Sequence, residues 1–157
     1  MTTAPQAAPQ LSGAAPTRYT LALPPHTPLI NANDRRGHHA HAQLVKTIRQ
    51  AACLLARHHH IPHLQQAHIL YVVHPNPATR RRDPGNWAPS AKAAIDGLID
   101  AHVLPDDNHT RLLGPDPRLG TPVPGTQLIL HITDLTTLPP EHLTLLDPFH
   151  QITEATR

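Results

Sequence analysis

The sequence predicts a small α/β protein with a mixed sheet of about four strands and two main helices. Two observations support this class. The hydrophobic patterns along the chain follow the order β-α-β-α-β-β, which is typical of a small sheet covered by helices. The length of 157 residues corresponds to about one domain. Aromatic residues make up only 3% of the chain, so the predicted core is small and aliphatic.

The first predicted element is a strand that follows a disordered leader. Residues 1–17 are rich in Ala, Pro, Gln and Thr and have no apolar period, so they cannot bury enough surface to offset ordering. Tyr19, Leu21 and Leu23 then alternate with polar or small residues, which is the period of a half-buried strand. Pro24 and Pro25 end this strand, and a loop continues to Gly37.

A long amphipathic helix and a buried strand come next. Apolar residues recur every three or four positions from His38 to about His58, as a helix with one buried face requires. Residues 66–74 are apolar and β-branched on both faces and are ended by Pro75 and Pro77. This pattern predicts a central strand that is buried on both sides.

A second helix and two further strands complete the domain. The helix begins near Pro89, a residue tolerated in the first turn, and extends to about His102. Strands are predicted at 110–113 and 126–133, joined by a Pro- and Gly-rich connection. We therefore expect one domain over 18–134, followed by a Pro-interrupted tail over 135–157 in which Leu143, Leu145 and Leu146 could dock as a short helix. No function is assigned to this tail.

Composition excludes several classes of protein. Cys53 is the only cysteine, so an internal disulfide and a Cys-based zinc site are excluded, which fits a reducing cytoplasm. No apolar run is long enough to span a bilayer, and the first thirty residues lack a basic start followed by an apolar core, so we expect a soluble protein that is not exported. Four aromatic residues are too few for a single-strand stacking platform. The cations are 11 Arg and 2 Lys, which allows an anionic partner.

Acidic residues are concentrated in one segment, RRRDPGNWAPSAKAAIDGLIDAHVLPDD, residues 80–107. Asp83 lies in the loop after the buried strand, and Asp106 and Asp107 lie in the loop after the second helix, so we expect them to meet at one end of the sheet. Neighbouring carboxylates share a proton or bind a cation, and Mg²⁺ prefers such oxygen ligands. With three adjacent arginines to contact phosphate, the segment predicts a metal-dependent nuclease.

The same segment resembles the signature of the RusA family of Holliday junction resolvases. In that family a basic run precedes an acid, an Asn, a helix with a Lys, an Asp-Gly-Leu or similar turn, and an aspartate pair. These features correspond here to Arg80–Arg82, Asp83, Asn86, Lys92 and the segment from Asp96 to Asp107. The resemblance extends more weakly over residues 18–134, including the segment 31–35.

This resemblance implies a homodimeric, Mg²⁺-dependent endonuclease, with Mn²⁺ as a substitute, that resolves four-way DNA junctions by paired cleavage in recombination and repair. It assigns metal ligation to Asp83 and Asp107, the first acid of the pair to Asp106, and the active-site lysine to Lys92. Many members carry a second acid where this chain has Gly85. We expect that loss to weaken metal binding, with Asp96 or Asp106 partly replacing the missing oxygen.

Basic and polar residues around this segment are predicted to contact DNA. They are Arg80, Arg81, Arg82, Asn86 and, in the loop after the first strand, Arg35 and Arg36. A stripe of Lys46, Arg49 and Arg57 on the first helix is equally compatible with DNA contact and with a solvated face.

Each of these roles has a structural alternative. Asp83 and Asp107 could cap turns, Asn86 could end a turn, and Lys92 could simply pair with Asp96 four residues on. Two other functions remain open: a weakened or inactive protein that binds DNA junctions, and a histidine-based metal-binding protein. The latter would use the clusters at 38–41 and 58–63, but adjacent histidines on a helix point in different directions, so surface histidines explain them better.

Overall fold

The computed structural model of the chain describes residues 15–80 and 82–139. These residues form a small α/β protein with one four-stranded mixed sheet and two helices, as the sequence predicts. The predicted order of elements is confirmed, with one short 3₁₀ helix in addition. None of the helices described is long and apolar enough to cross a membrane.

The sheet has the strand order β1-β4-β2-β3. The four strands are β1 (Arg18–Ala22), β2 (Ala67–His74), β3 (Leu112–Leu119) and β4 (Gln127–Asp134). β4 pairs antiparallel with both β1 and β2, whereas β3 pairs parallel with β2. β2 is therefore central, and β1 and β3 form the edges.

Both predicted helices are present. α1 extends over His38–His58, the predicted span, and Gly37 lies at its N-cap. α2 extends over Ala88–Asp100 and directly follows the 3₁₀ helix Pro84–Trp87. Pro89 lies in the first turn of α2, where its missing N–H leaves no helical hydrogen bond unmade.

The third strand is longer than predicted. β3 includes Gly114, Pro115 and Pro117, which the sequence assigned to the connection between strands. An edge strand tolerates proline because only one of its sides is paired. Gly114 has a φ of +95° and lies at an irregularity in the β2–β3 pairing, where its lack of a Cβ matters.

The prediction that β2 is buried on both faces is wrong within the part of the chain described here. Ile69, Tyr71 and Val73 are buried, but the residues between them are only half-buried. The cause is the arrangement of the helices: α1 and α2 pack against each other and share one core with the buried face of the sheet. We call the other face, which carries Leu70 and Val72, the outer face.

The close approach of α1 and α2 depends on Gly97. A Cβ at this position would lie 2.8 Å from the Cβ of Ala52 and would also clash with the carbonyl oxygen of Arg49. Both obstacles belong to a packed helix and cannot rotate away.

Gly97→Ala should therefore lower the free energy of unfolding by about 1–3 kcal/mol, measured by urea denaturation. Gly37→Ser is the control, since no atom lies within 4 Å of a Cβ there and serine is a good N-cap; equal losses in both variants would argue against the explanation.

Some predictions fall outside the described residues. Residues 1–14 of the predicted leader and the tail from residue 140 onward, with its predicted short helix, are in this group.

Candidate functional site

Lys92 lies at the centre of an ion cluster on the exposed side of α2. Its Nζ lies 2.5 Å from Oδ1 of Asp96, one helical turn away, and 2.7 Å from Oδ2 of Asp107 in the loop after α2. The lysine side chain is 58% exposed, whereas the two carboxylates are 24% and 29% exposed. We call these three residues the Lys92 cluster. The structure thus brings together three of the predicted site residues.

Asp106 supports the cluster from within its own loop. Its Oδ1 accepts a hydrogen bond from the backbone N–H of Asp107 at 2.8 Å, and its Oδ2 accepts one from Nδ2 of Asn108 at 2.8 Å. Both oxygens therefore hold the loop in shape. In this arrangement Asp106 positions Asp107 and does not point at the Lys92 ammonium.

The cluster shifts the ionisation of its members. Partial burial lowers the pKa of Lys92, but hydrogen bonds to Asp107 and Asp96 outweigh it, so the net pKa is raised. The hydrogen bond from Lys92 lowers the pKa of Asp107, against a smaller opposing effect of burial. Both shifts favour the charged forms at neutral pH. Because the pKa of Asp107 is lower in the folded chain, its stabilising contribution is present above a pH of about 4 and is lost as the pH falls further.

Removal of the lysine charge should reverse the shift at Asp107. In Lys92→Met the carboxylate of Asp107 loses its cationic partner but keeps the negative charge of Asp96, which binds the same ammonium group in the wild-type chain. We expect the pKa of Asp107 to rise above that in the wild-type chain, followed by carboxyl ¹³C chemical shifts across a pH titration. Lys46→Met, which removes an exposed lysine from α1, is the matched control. A pKa of Asp107 that is unchanged in Lys92→Met would show that the ion pair does not persist in solution.

Asp83 lies at the start of the 3₁₀ helix, where its Oδ1 accepts a hydrogen bond from the N–H of Gly85 at 2.9 Å. The adjacent carbonyl of Pro84 accepts a hydrogen bond from the hydroxyl of Tyr71 at 3.0 Å, which anchors this turn to β2. The pKa of Tyr71 is raised, first by burial and then by the negative charge of Asp83. Asp83 is therefore the N-cap of the 3₁₀ helix, which is the turn-capping role predicted above as the alternative to metal ligation.

The prediction that Asp83 and Asp107 meet stays a prediction. The loop that leaves β2 and the loop that enters β3 join opposite ends of this parallel strand pair. However, the loop after α2 brings Asp107 back to Lys92 in the first half of α2, the helix that follows the 3₁₀ helix capped by Asp83. Among residues 15–80 and 82–139, no hydrogen bond or ion pair joins Asp83 to the Lys92 cluster, and no group of three or more His, Cys, Asp or Glu side chains is placed to hold a metal.

The loop before α1 is fixed to the start of α2. The hydroxyl of Ser90 is fully buried, accepts a hydrogen bond from the N–H of Ile30 at 2.7 Å and donates one to the carbonyl of the same residue at 2.9 Å. The carbonyl of Asn86 accepts a hydrogen bond from the N–H of Ala32 at 2.7 Å. Sequence reasoning missed Ser90, because a serine in a first helical turn gives no signal of a distant backbone partner.

The predicted DNA-contacting arginines have different surroundings. Arg82 donates to the carbonyls of Thr79 and Pro77 at 3.0 and 3.1 Å and so braces its own loop. Arg36 pairs with Asp34 at 3.3 Å. Arg80 and Arg35 are exposed, and Arg81 is outside the described residues. At least two exposed guanidinium groups are thus available to a polyanion.

A further ion pair, which the sequence did not reveal, joins the two helices. Arg49 donates through Nε and a terminal nitrogen to both oxygens of Asp100, at 2.5 and 2.7 Å. Arg57 adds a bond to the carbonyl of Asp100 at 3.0 Å. The hydrogen bond from Arg49 lowers the pKa of Asp100 and raises the pKa of Arg49. Arg49 and Arg57, two of the three basic residues predicted to share one face of α1, therefore connect α1 to α2.

No protein-family model matches this chain, and no curated protein is significantly similar to it in sequence.

Proposed function

We propose that the protein is a RusA-like, magnesium-dependent endonuclease that cleaves four-way DNA junctions as a homodimer in the cytoplasm. The observation that supports it best is the Lys92 cluster, in which two carboxylates converge on one cation. The resemblance to the RusA signature assigns an active-site lysine to Lys92 and metal ligation to Asp107. The Lys92 cluster supports the proposal because it brings the lysine and the aspartate of that assignment into direct contact.

The donor set suits a hard divalent cation. Asp96 and Asp107 provide carboxylate oxygens that already share one positive group, and Mg²⁺ binds through one or two carboxylates while it keeps several waters. In the proposed site Asp107 and Asp83 would hold the metal, with Asp96 in place of the acid absent at Gly85. Among the described residues these carboxylates do not form a group of three, so the proposal requires Asp83 to approach Asp107 when the metal binds. A bound Mg²⁺ would supply Lewis-acid stabilisation and lower the pKa of a coordinated water.

The other residues bind and position the substrate in this proposal. Lys92 stabilises negative charge that develops on the phosphoryl oxygens, since its raised pKa keeps it cationic at neutral pH. Asp106 fixes the backbone of Asp107 and is a positioning residue. The exposed Arg35 and Arg80, with Arg81, Arg82, Arg36 and Asn86 nearby in sequence, contact the DNA backbone.

The acid missing at Gly85 provides a test by restoration. A Cβ at this position would lie 3.2 Å from Oδ1 of Asp83, so Gly85→Asp would add a carboxylate beside an existing one. We expect the Mg²⁺ concentration for half-maximal junction cleavage to fall about tenfold, the effect of about 1.4 kcal/mol of added metal binding. Gly85→Asn adds nearly the same volume without charge and should not lower it. Identical magnesium curves for the Asp variant and the wild type would count against a metal at Asp83.

A second candidate is a junction-binding protein without nuclease activity. It is favoured by Gly85 in place of an acid and by the missing contact between Asp83 and the Lys92 cluster. Binding and cleavage of a synthetic four-way junction, with and without Mg²⁺, separate the two functions. Both predict affinity that falls steeply with salt, because arginines displace counterions from phosphate; only the nuclease produces Mg²⁺-dependent nicks.

A further inference from the structure

The outer face of the sheet has a more apolar centre than a solvated face requires. Leu70 and Val72 of β2 lie there beside Ile129 of β4, which pairs with Val72. All three are half-buried. Antiparallel sheets that face water on one side normally alternate apolar and polar residues, so a run such as Ile-Leu-Tyr-Val-Val on a central strand is typical of burial on both faces.

Nothing in the described part of the chain provides that second cover. α1, α2 and the 3₁₀ helix all contribute to the core on the opposite face, through residues such as Ile48, Ile95 and Trp87. Within residues 15–80 and 82–139, no helix or strand packs on the outer face.

The charges at the edge of the outer face are self-complementary. Asp116 pairs in register with Leu70, and Arg118 pairs with Val72, so an acid and a base lie in adjacent rows of edge strand β3. Oδ2 of Asp116 bonds to Nε2 of His68 at 2.7 Å, and its other oxygen has no bond to a described residue. Arg118 is exposed, and within residues 15–80 and 82–139 its side chain bonds only to the carbonyl of Pro117. Consider a twofold axis that runs across the strands, between the Leu70–Asp116 pair and the Val72–Arg118 pair. Such an axis would place Asp116 of one copy opposite the Arg118 position of the other.

We infer that the outer face binds the outer face of a second copy of this chain. In that dimer Asp116 faces Arg118 of the partner subunit, twice by symmetry, and Leu70, Val72 and Ile129 form the apolar centre inside this polar rim. The inference rests on the proposed function for the expectation of a dimer and adds its surface. The face-to-face packing of two such sheets is the ordinary way to bury a second apolar face.

Sedimentation equilibrium of the full chain tests the inference without DNA or metal. The wild type should sediment at twice its monomer mass of 17.2 kDa, and Val72→Asp should sediment as a folded monomer, with circular dichroism as the check of folding. Leu54→Asp is the matched control, because Leu54 is 66% exposed on α1, and it should remain dimeric. A wild type that is monomeric at about 100 µM would overturn the inference, as would a dimer in Val72→Asp.

A charge series keeps the test decisive if Val72→Asp fails to fold. Arg118→Asp should weaken dimerisation at least about tenfold, because it places two acids opposite one another twice. The double variant Asp116→Arg/Arg118→Asp should restore the dissociation constant to within about threefold of wild type. Loss of dimer in both, or in neither, would refute the Asp116–Arg118 contact. A monomer whose junction affinity falls in Val72→Asp would identify the surface as a DNA contact instead.

The two proposals can fail separately. A wild-type dimer that breaks with Val72→Asp but never cleaves a junction supports the interface and refutes the nuclease. A monomer that nicks junctions in Mg²⁺ refutes the interface alone.

Discussion

Asp107→Asn should reduce junction cleavage by about 100-fold or more while the junction is still bound. Asp107 is the acid that the loop after α2 brings to Lys92, and the change removes a charge with little change of shape. In the proposed site this carboxylate would hold the metal. Its loss would therefore weaken the binding of the metal, which would supply Lewis-acid stabilisation of the charge that develops on the phosphoryl group. The measurement is single-turnover cleavage of a synthetic four-way junction at saturating Mg²⁺.

Junction affinity separates a chemical role of Asp107 from a structural one. The substitution removes an acid near the DNA, so binding should be unchanged or tighter, and it should keep its salt dependence. Asp100→Asn is a matched control, because Asp100 of α2 also pairs with a base but that base is Arg49 of α1, in the contact between the two helices. Cleavage by Asp107→Asn at the wild-type rate would refute the assignment of this residue.

Asp83→Asn should lower cleavage by a comparable factor. Asparagine is as good an N-cap as aspartate, so the bond to the N–H of Gly85 is kept and the 3₁₀ helix stays in place. The variant therefore separates capping from metal binding, which are the two roles open to Asp83. Single-turnover cleavage across Mg²⁺ concentrations is the readout.

The contrast between Asn and Ala at position 83 sharpens this result. Asp83→Ala removes both the cap and the charge, and should lower the free energy of unfolding by about 1 kcal/mol as well as cleavage. If Asp83→Asn cleaves like the wild type while Asp83→Ala is less stable, the residue is a cap only. The metal would then have to bind through the Lys92 cluster without it.

The fold could be predicted from the sequence because its patterns are local. The 3.6-residue period of α1 arises because one face of that helix is buried, and the apolar run of β2 arises because that strand lies inside the sheet. Each pattern can therefore be recognised within a single stretch of sequence. β3 could not be predicted at full length, because Pro115 and Pro117 are acceptable only on an edge, and the position of a strand in its sheet is not a local property.

The site was predictable in its residues but not in its connections. The spacing of Lys92 and Asp96 allowed a pair one helical turn apart, and the family resemblance singled out Lys92 and Asp107; the structure joins all three. Whether Asp83 meets Asp107 depends on how the loop after α2 folds back to Lys92, which is a tertiary property and not a local one. Ser90 and the bidentate Arg49–Asp100 pair depend on helix packing, which a one-dimensional pattern does not contain.

Cleavage of a synthetic four-way junction by the wild-type chain, across a titration from chelator to excess Mg²⁺, tests the central claim most directly. The account predicts no product in chelator and symmetrically paired nicks whose rate rises with Mg²⁺ to a plateau. Tight, salt-sensitive binding of the junction with no nicks at any Mg²⁺ or Mn²⁺ concentration would contradict the claim that the Lys92 cluster and Asp83 form a nuclease site.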